Sequence, residues 1–329
     1  MMIEYYNRPK KRSREEGSKI TPFINNLLLN VEGNDDIFGK VLSYLDVVTL
    51  TKKKLICIRW KYLCYKVITL KSLSSKIPFV SNRKLDLAVD DYIHIKEGSN
   101  DDHNCVYDSY HKDDDTGSPV VITRRDRAEE IATLYGWPID QWDVSKVEDF
   151  SELFFNRDEF NEDIGSWDVS NAKYMSGMFE RASSFNRDIS LWNTMNVEVM
   201  DGMFSEATSF NQDVSSWDTN RVEDMGGMFS GSSSFDQNLS LWDTSNVTNM
   251  GSMFCNAASF RGKGLSNWLT VNVIDMSSMF EDATIFNEDI SSWDTSDVKY
   301  TKDMFQNAQS FEHDLSLFWN TSNVVDSHL

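Results

Sequence analysis

The chain has 329 residues, 40% hydrophobic and 12% aromatic, which excludes global disorder and allows two ordinary domains or a small domain with an extended array. Its net charge of −20 is uneven: residues 140–329 hold 32 Asp and Glu against 10 Lys and Arg, while residues 1–139 hold 20 acids and 22 bases. The acidic part repels polyanions, so nucleic acid and anionic membrane are not expected partners, and it either suits a basic protein partner or simply keeps the chain soluble.

The amino terminus lacks the apolar core of a secretory leader, and no apolar run reaches the ~18 residues that cross a bilayer. Cys57, Cys64, Cys105 and Cys255 match neither a disulfide framework nor a four-ligand zinc module. Reduced thiols in a cytoplasmic or nuclear protein are the expectation. Residues 1–30 read as a basic disordered tail. Within it, Arg8-Pro9-Lys10-Lys11-Arg12-Ser13-Arg14 is either a nuclear-import signal or a solvated terminus.

Residues 31–70 carry helical patterning. Asp35 and Asp36 suit a helix start, and Ile37, Phe38, Val41, Leu42 and Leu45 fall on one helical face. Asp46 to Thr49 breaks the pattern, Leu50 follows, and Leu55, Ile56, Trp60 and Leu63 form a further apolar set. So small a core needs a partner to cover it, or packs as a helical hairpin on the rest of the chain. The run Asp35 to Asp46, with Cys57, Arg59 and Trp60 in the segment 55–63, resembles an F-box, although residues 31–34 read Val-Glu-Gly-Asn where that motif begins Leu-Pro. The resemblance implies a small all-α module whose Ile37, Val41, Leu42, Leu45, Leu50, Leu55 and Trp60 contact a Skp-type adaptor of a cullin-type ubiquitin ligase.

Residues 71–123 read as irregular, ending in an acidic linker over 98–119. His103, Cys105 and His111 sit there without metal-site spacing, so a solvated loop is the reading. Residues 124–139 follow as a charged amphipathic helix, with Ala128, Ile131 and Ala132 in its apolar stripe, placed to cap what comes next.

Residues 140–329 are a tandem repeat. Trp142, Trp167, Trp192, Trp217, Trp242, Trp268, Trp293 and Trp319 recur at steps of 25 or 26. Phe154, Phe179, Phe204, Phe229, Phe254, Phe280 and Phe305 form a second column, and Phe160 to Phe311 a third. One such unit cannot bury its own rings, so stacked units must bury them against each other. Val247, Met250, Met253, Phe254 and Ala257 have helical spacing, and Leu239 to Trp242 alternates like a strand. The expected fold is therefore α/β, a leucine-rich-repeat-like solenoid of about eight coils. Asp recurs after Trp at 143, 168, 218, 243 and 294, with Asn193 and Asn320 in register. Asp163, Asp188, Asp213, Asp289 and Asp314 form another column, with Asn238. These carboxylates either ligate calcium or cap backbone N–H groups at bends, as Asn also can. The chain ends before another Met/Phe segment, so the last coil is expected to be incomplete.

Ser209 to Thr219 and Val222 to Phe229 are similar to the BspA-like leucine-rich-repeat surface-protein family, and matching copies run through about 190 residues. The resemblance implies a solenoid without catalytic activity; bacterial members are surface proteins and adhesins. No phosphate-binding Gly loop, His-Glu-x-x-His or Cys-x-x-Cys occurs, so neither an enzyme nor a cofactor is expected. The expected function is a non-catalytic interaction scaffold, a ligase substrate-recognition subunit with an unknown substrate. The alternative is a structural or adhesive repeat protein unrelated to ubiquitin.

Overall fold

The computed structural model describes residues 77–97, 131, 134–136 and 138–326. The tail 1–30, the F-box-like module 31–70 with Ile37, Val41, Leu42, Leu45, Leu50, Leu55 and Trp60, the linker 98–119 and most of the expected helix 124–139 lie outside the described residues.

The stretch 71–123, read as irregular, holds a 16-residue α-helix, Asn82–Glu97 (α1). Leu85, Ala88, Val89, Tyr92 and Ile93 fall at i, i+3, i+4, i+7 and i+8, and all are buried. His94 and Lys96 stand in the last turn, where the helix dipole favours cations. The buried face lies on the first coil: Tyr92 meets Trp142 edge-on with ring centroids 5.6 Å apart. Phe79, just before α1, stacks on Tyr135 at 4.1 Å, and its N–H donates to the Asp143 carbonyl at 2.9 Å. Ion pairs Arg157–Asp90 and Lys96–Glu162 flank the contact. α1 thus closes the amino-terminal end of the repeats.

From Ile139 onward the chain winds in coils of 25 or 26 residues, but not as an α/β structure. Among the described residues there is no strand and no sheet; six isolated parallel bridges link Asp149, Tyr174, Val199, Asp224, Asn249, Asp275 and Tyr300. No α-helix lies within the repeats, where the helical elements are two three-residue 3-10 turns, Ile139–Gln141 and Leu265–Asn267. The expected α/β leucine-rich-repeat-like solenoid is overturned, and no all-α module stands among the described residues.

The physical reason is in the backbone bonds. In coil 175–199 the N–H groups of Met178 and Ala182 close tight turns onto Met175 and Phe179, three residues back. The N–H groups of Met175, Gly177, Phe179 and Arg181 instead donate forward, to Val199, Asp201, Met203 and Ser205 of the next coil. In an α-helix every N–H runs along one axis to residue i−4; here alternate N–H groups leave the coil sideways. The third residue of each tight turn has positive φ, as in a type II turn: 57° at Gly177 and 60° at Arg181, then 61° and 57° at Gly202 and Glu206. The same chained turns bring Val247, Met250, Met253, Phe254 and Ala257 inward, so their helical spacing arises without a helix. Likewise Leu239 and Trp242 are buried and Leu241 is exposed because Trp242 N–H closes a turn onto the Leu239 carbonyl at 3.2 Å.

The rings then stack. Phe204 lies 3.9 Å from Phe210 within a coil and 5.7 Å from Phe229 in the next, within 8° of parallel in both cases. Trp192–Trp217 and Trp268–Trp293 stack at 6.2 and 6.3 Å. Each aromatic removes ~150–250 Å² from water, enough to offset a left-handed Glu206 or Arg181 at ~1–2 kcal/mol. Phe305, Phe311 and Leu315, in the last described coil, are only partly buried.

Candidate interaction surface

The corner around each Trp is the most regular part of a coil. Trp142, Trp167, Trp192, Trp217, Trp242, Trp268 and Trp293 are buried, as are Phe179, Phe204, Phe229, Phe254 and Phe280. A buried indole needs an acceptor. The Trp217 indole N–H donates to the Ile189 carbonyl at 3.1 Å, and Trp242 and Trp293 reach Val214 and Leu265 in the same way, 28 residues back. A threonine two residues after the Trp faces the other way. The hydroxyls of Thr194, Thr219 and Thr270 donate forward to the carbonyls of Asp218, Asp243 and Asp294 at 2.8–2.9 Å. Each corner is therefore bonded to both neighbours.

Two carboxylate columns flank these corners. Asp213 Oδ1 accepts the N–H of Ser215 at 2.9 Å, and Asp243 Oδ1 that of Ser245 at 2.9 Å. Asp188, Asp218, Asp289, Asp294 and Asp314 do the same two residues on, and Asn193, Asn238 and Asn320 replace Asp with the same bond. These are Asx turns, and they leave the second carboxylate oxygen to solvent. Hydrogen bonds from the serine two residues on, hydroxyl first, hold Asp188, Asp213, Asp294 and Asp314 below the usual carboxylate range. At Asp289 the backbone N–H of Ser291 is the larger cause. These five aspartates are thus held in place and ionised at neutral pH.

Exposed aliphatic side chains interrupt this acidic edge in three coils, those of Trp192, Trp242 and Trp268, and not in the Trp217 coil between the first two. Leu191 is 87% exposed, Leu241 74% and Leu269 58%, with Met195 and Val271 exposed beside them. The position before Trp is serine at 166, 216 and 292, so leucine there is not a requirement of folding. The sequence reading took Leu241 as part of a strand and did not single out Leu191; the signal available was the Ser/Leu alternation beside an otherwise constant Trp. Asp188, Asp213, Asp218 and Asp243 stand within four residues of a Trp in the same coils. The edge therefore carries turn-held carboxylates beside separate exposed leucines, Leu191 and Leu241, with Ser216 in the coil between them.

Among the described residues no group of three or more His, Cys, Asp or Glu side chains is placed to hold a metal ion. Nor is any described helix long and apolar enough to cross a membrane. His103, Cys105 and His111, like the F-box-like residues, lie outside the described residues. A family model described as Mycoplasma protein of unknown function, DUF285, matches residues 128–242 and 223–329, the stretch whose period carried the BspA-like resemblance. No curated protein and no solved structure matches the chain.

Proposed function

The chain belongs to the DUF285 family, and from that premise we propose that it is a repeat-built interaction protein whose acidic, leucine-bearing edge binds a basic protein partner. The observation that carries this reading is the exposure of Leu191 and Leu241 between carboxylates already fixed in turns. Burying two such leucines contributes ~1.5–3 kcal/mol each before ordering costs, and surrounding charge selects the sign of the partner. The array is read as non-catalytic, because its polar side chains recur coil after coil in turns and ladders instead of converging once. The ligase-subunit expectation rests on residues 35–63, outside the described residues, and nothing in the family match supports it.

The test is affinity capture with the full chain and with an edge variant, Asp188→Asn, Asp213→Asn, Asp218→Asn, Asp243→Asn, compared by quantitative mass spectrometry. Asparagine keeps each Asx turn, as Asn193 and Asn238 do, so only charge changes. Basic proteins enriched by the wild type and lost from the variant are expected. Equal capture by both chains would remove the edge as a binding surface.

A further inference from the structure

Twelve methionines stand among the described residues, and the coils place one of them differently from the rest. Eleven fill two inward columns that begin at Met175 and Met178, and each is 0% exposed. Met195 is 45% exposed. It stands three residues after Trp192, a position held by Ser145, Ser170, Asn220, Ser245, Ser296 and Ser322 in other coils and by Val271 in one. Its contribution to the corner is its backbone N–H, which donates to Asn193 Oδ1 at 3.3 Å, a bond that serine makes equally well at 170 and 245. The fold therefore holds a thioether in water where none is required. Leu191, which precedes the same buried Trp192, is 87% exposed.

We infer that Met195 is the oxidant-reactive site of the array, taking one oxygen atom from a hydroperoxide. A sulfur lone pair attacks the terminal peroxide oxygen, and the S–O bond forms as the O–O bond breaks. The other oxygen takes up the displaced proton and leaves as water or an alcohol. The sulfur loses two electrons and the peroxide gains them. The eleven interior thioethers are closed to this chemistry, because a close-packed interior admits a peroxide only when a coil opens. The product is a polar, chiral sulfoxide that methionine sulfoxide reductases return to the thioether. Because Met195 lies outside the ring columns, the change leaves the stack intact and falls on the leucine-bearing edge. Its effect there rests on the reading of that edge as a binding surface: oxidation puts a hydrogen-bond acceptor in place of an apolar group and weakens a partner that buries it.

Dilute hydrogen peroxide, applied to the folded full-length protein and followed by peptide mass spectrometry, tests the site. Expected is oxygen added at Met195 at least about tenfold faster than at any of the eleven interior methionines, with the urea-unfolding midpoint unchanged when Met195 alone among them is oxidised. Similar rates at Met195 and in the interior, or a lowered midpoint, would overturn the inference. Affinity capture tests the consequence. Peroxide should lower capture of basic proteins by the wild type several-fold and leave capture by Met195→Leu, which keeps an apolar side chain without sulfur, unchanged. Equal losses in both chains, or no loss in either, would overturn the effect at the edge. The four-asparagine variant separates the two readings. If it loses capture while peroxide does nothing, the role of Met195 alone fails; if it captures as the wild type does, the binding edge fails, whatever the peptide map shows.

Discussion

Thr301 offers a test in which one chemical change must act with opposite sign at two sites. It occupies the column filled by Met175, Met200, Met225, Met250 and Met276, is 2% exposed, and its hydroxyl has no hydrogen-bond partner among the described residues. Thr219 is equally buried, but its hydroxyl donates to the Asp243 carbonyl at 2.9 Å. Valine has the shape of threonine without the hydroxyl. At Thr301 the change removes an unsatisfied buried group costing ~1–3 kcal/mol and buries a methyl in its place, so Thr301→Val stabilises by about 2 kcal/mol. At Thr219 it strands the Asp243 carbonyl, so Thr219→Val destabilises by about 1 kcal/mol. Stacked repeats can open locally, so global urea unfolding is paired with native-state hydrogen exchange at two amides. These are Met304 N–H, bonded to the Thr301 carbonyl at 3.1 Å, and Val222 N–H, bonded to that of Thr219 at 3.0 Å. Slower exchange at Met304 in one variant and faster exchange at Val222 in the other are expected. Shifts of the same sign at both sites would refute the reasoning from hydroxyl satisfaction.

Three further outcomes follow from the coil. Gly227 has φ of 62° with nothing near a would-be Cβ, so Gly227→Ala should cost only left-handed strain, ~1–2 kcal/mol in urea unfolding; Gly264, at φ 91°, would place a Cβ 2.5 Å from the Ser240 backbone nitrogen, so Gly264→Ala should cost clearly more, and equal costs would contradict the packing. Trp217→Phe should destabilise by about 2–4 kcal/mol, since it strips the indole bond from the Ile189 carbonyl, which keeps only the Trp192 N–H, and leaves a gap beside Phe204; a loss no larger than that from an exposed substitution such as Leu191→Ser would sink the indole ladder. Asp188, Asp213, Asp289, Asp294 and Asp314 are held below their ordinary range, so the stability they contribute is present above the unfolded-state value and lost as pH falls through the folded one, below about pH 4. Burial raises Glu180, which acts in the opposite sense and is best neutral when folded. Thermal melts from pH 6 to pH 2 check this: Asn at the five aspartates should flatten the acid limb, and an unchanged limb would exclude them as its source.

The columns of rings were legible in the amino-acid order because burial imposes them. Phe204, Phe229 and Trp217 can leave water only against their own copies, so a fixed period of large apolar residues already entails stacking. Turn chemistry was legible for a similar reason: Asn193, Asn238 and Asn320 in the aspartate columns pointed to Asx bonds, and those bonds are present. The face of α1 was written just as openly, in Leu85, Ala88, Val89, Tyr92 and Ile93, although the stretch 71–123 was read as irregular.

Local conformation was decided only by tertiary structure. Spacing of three and four residues is shared by an α-helix and by chained tight turns, so Val247, Met250, Met253, Phe254 and Ala257 could not tell them apart. What separates the two is the destination of the N–H groups of residues such as Met175, Gly177 and Phe179, and that destination is another coil. Leu191 and Leu241 obey the same rule. Beside identical tryptophans they look like core, and only the turn that carries each indole inward shows that the neighbouring side chain must face water.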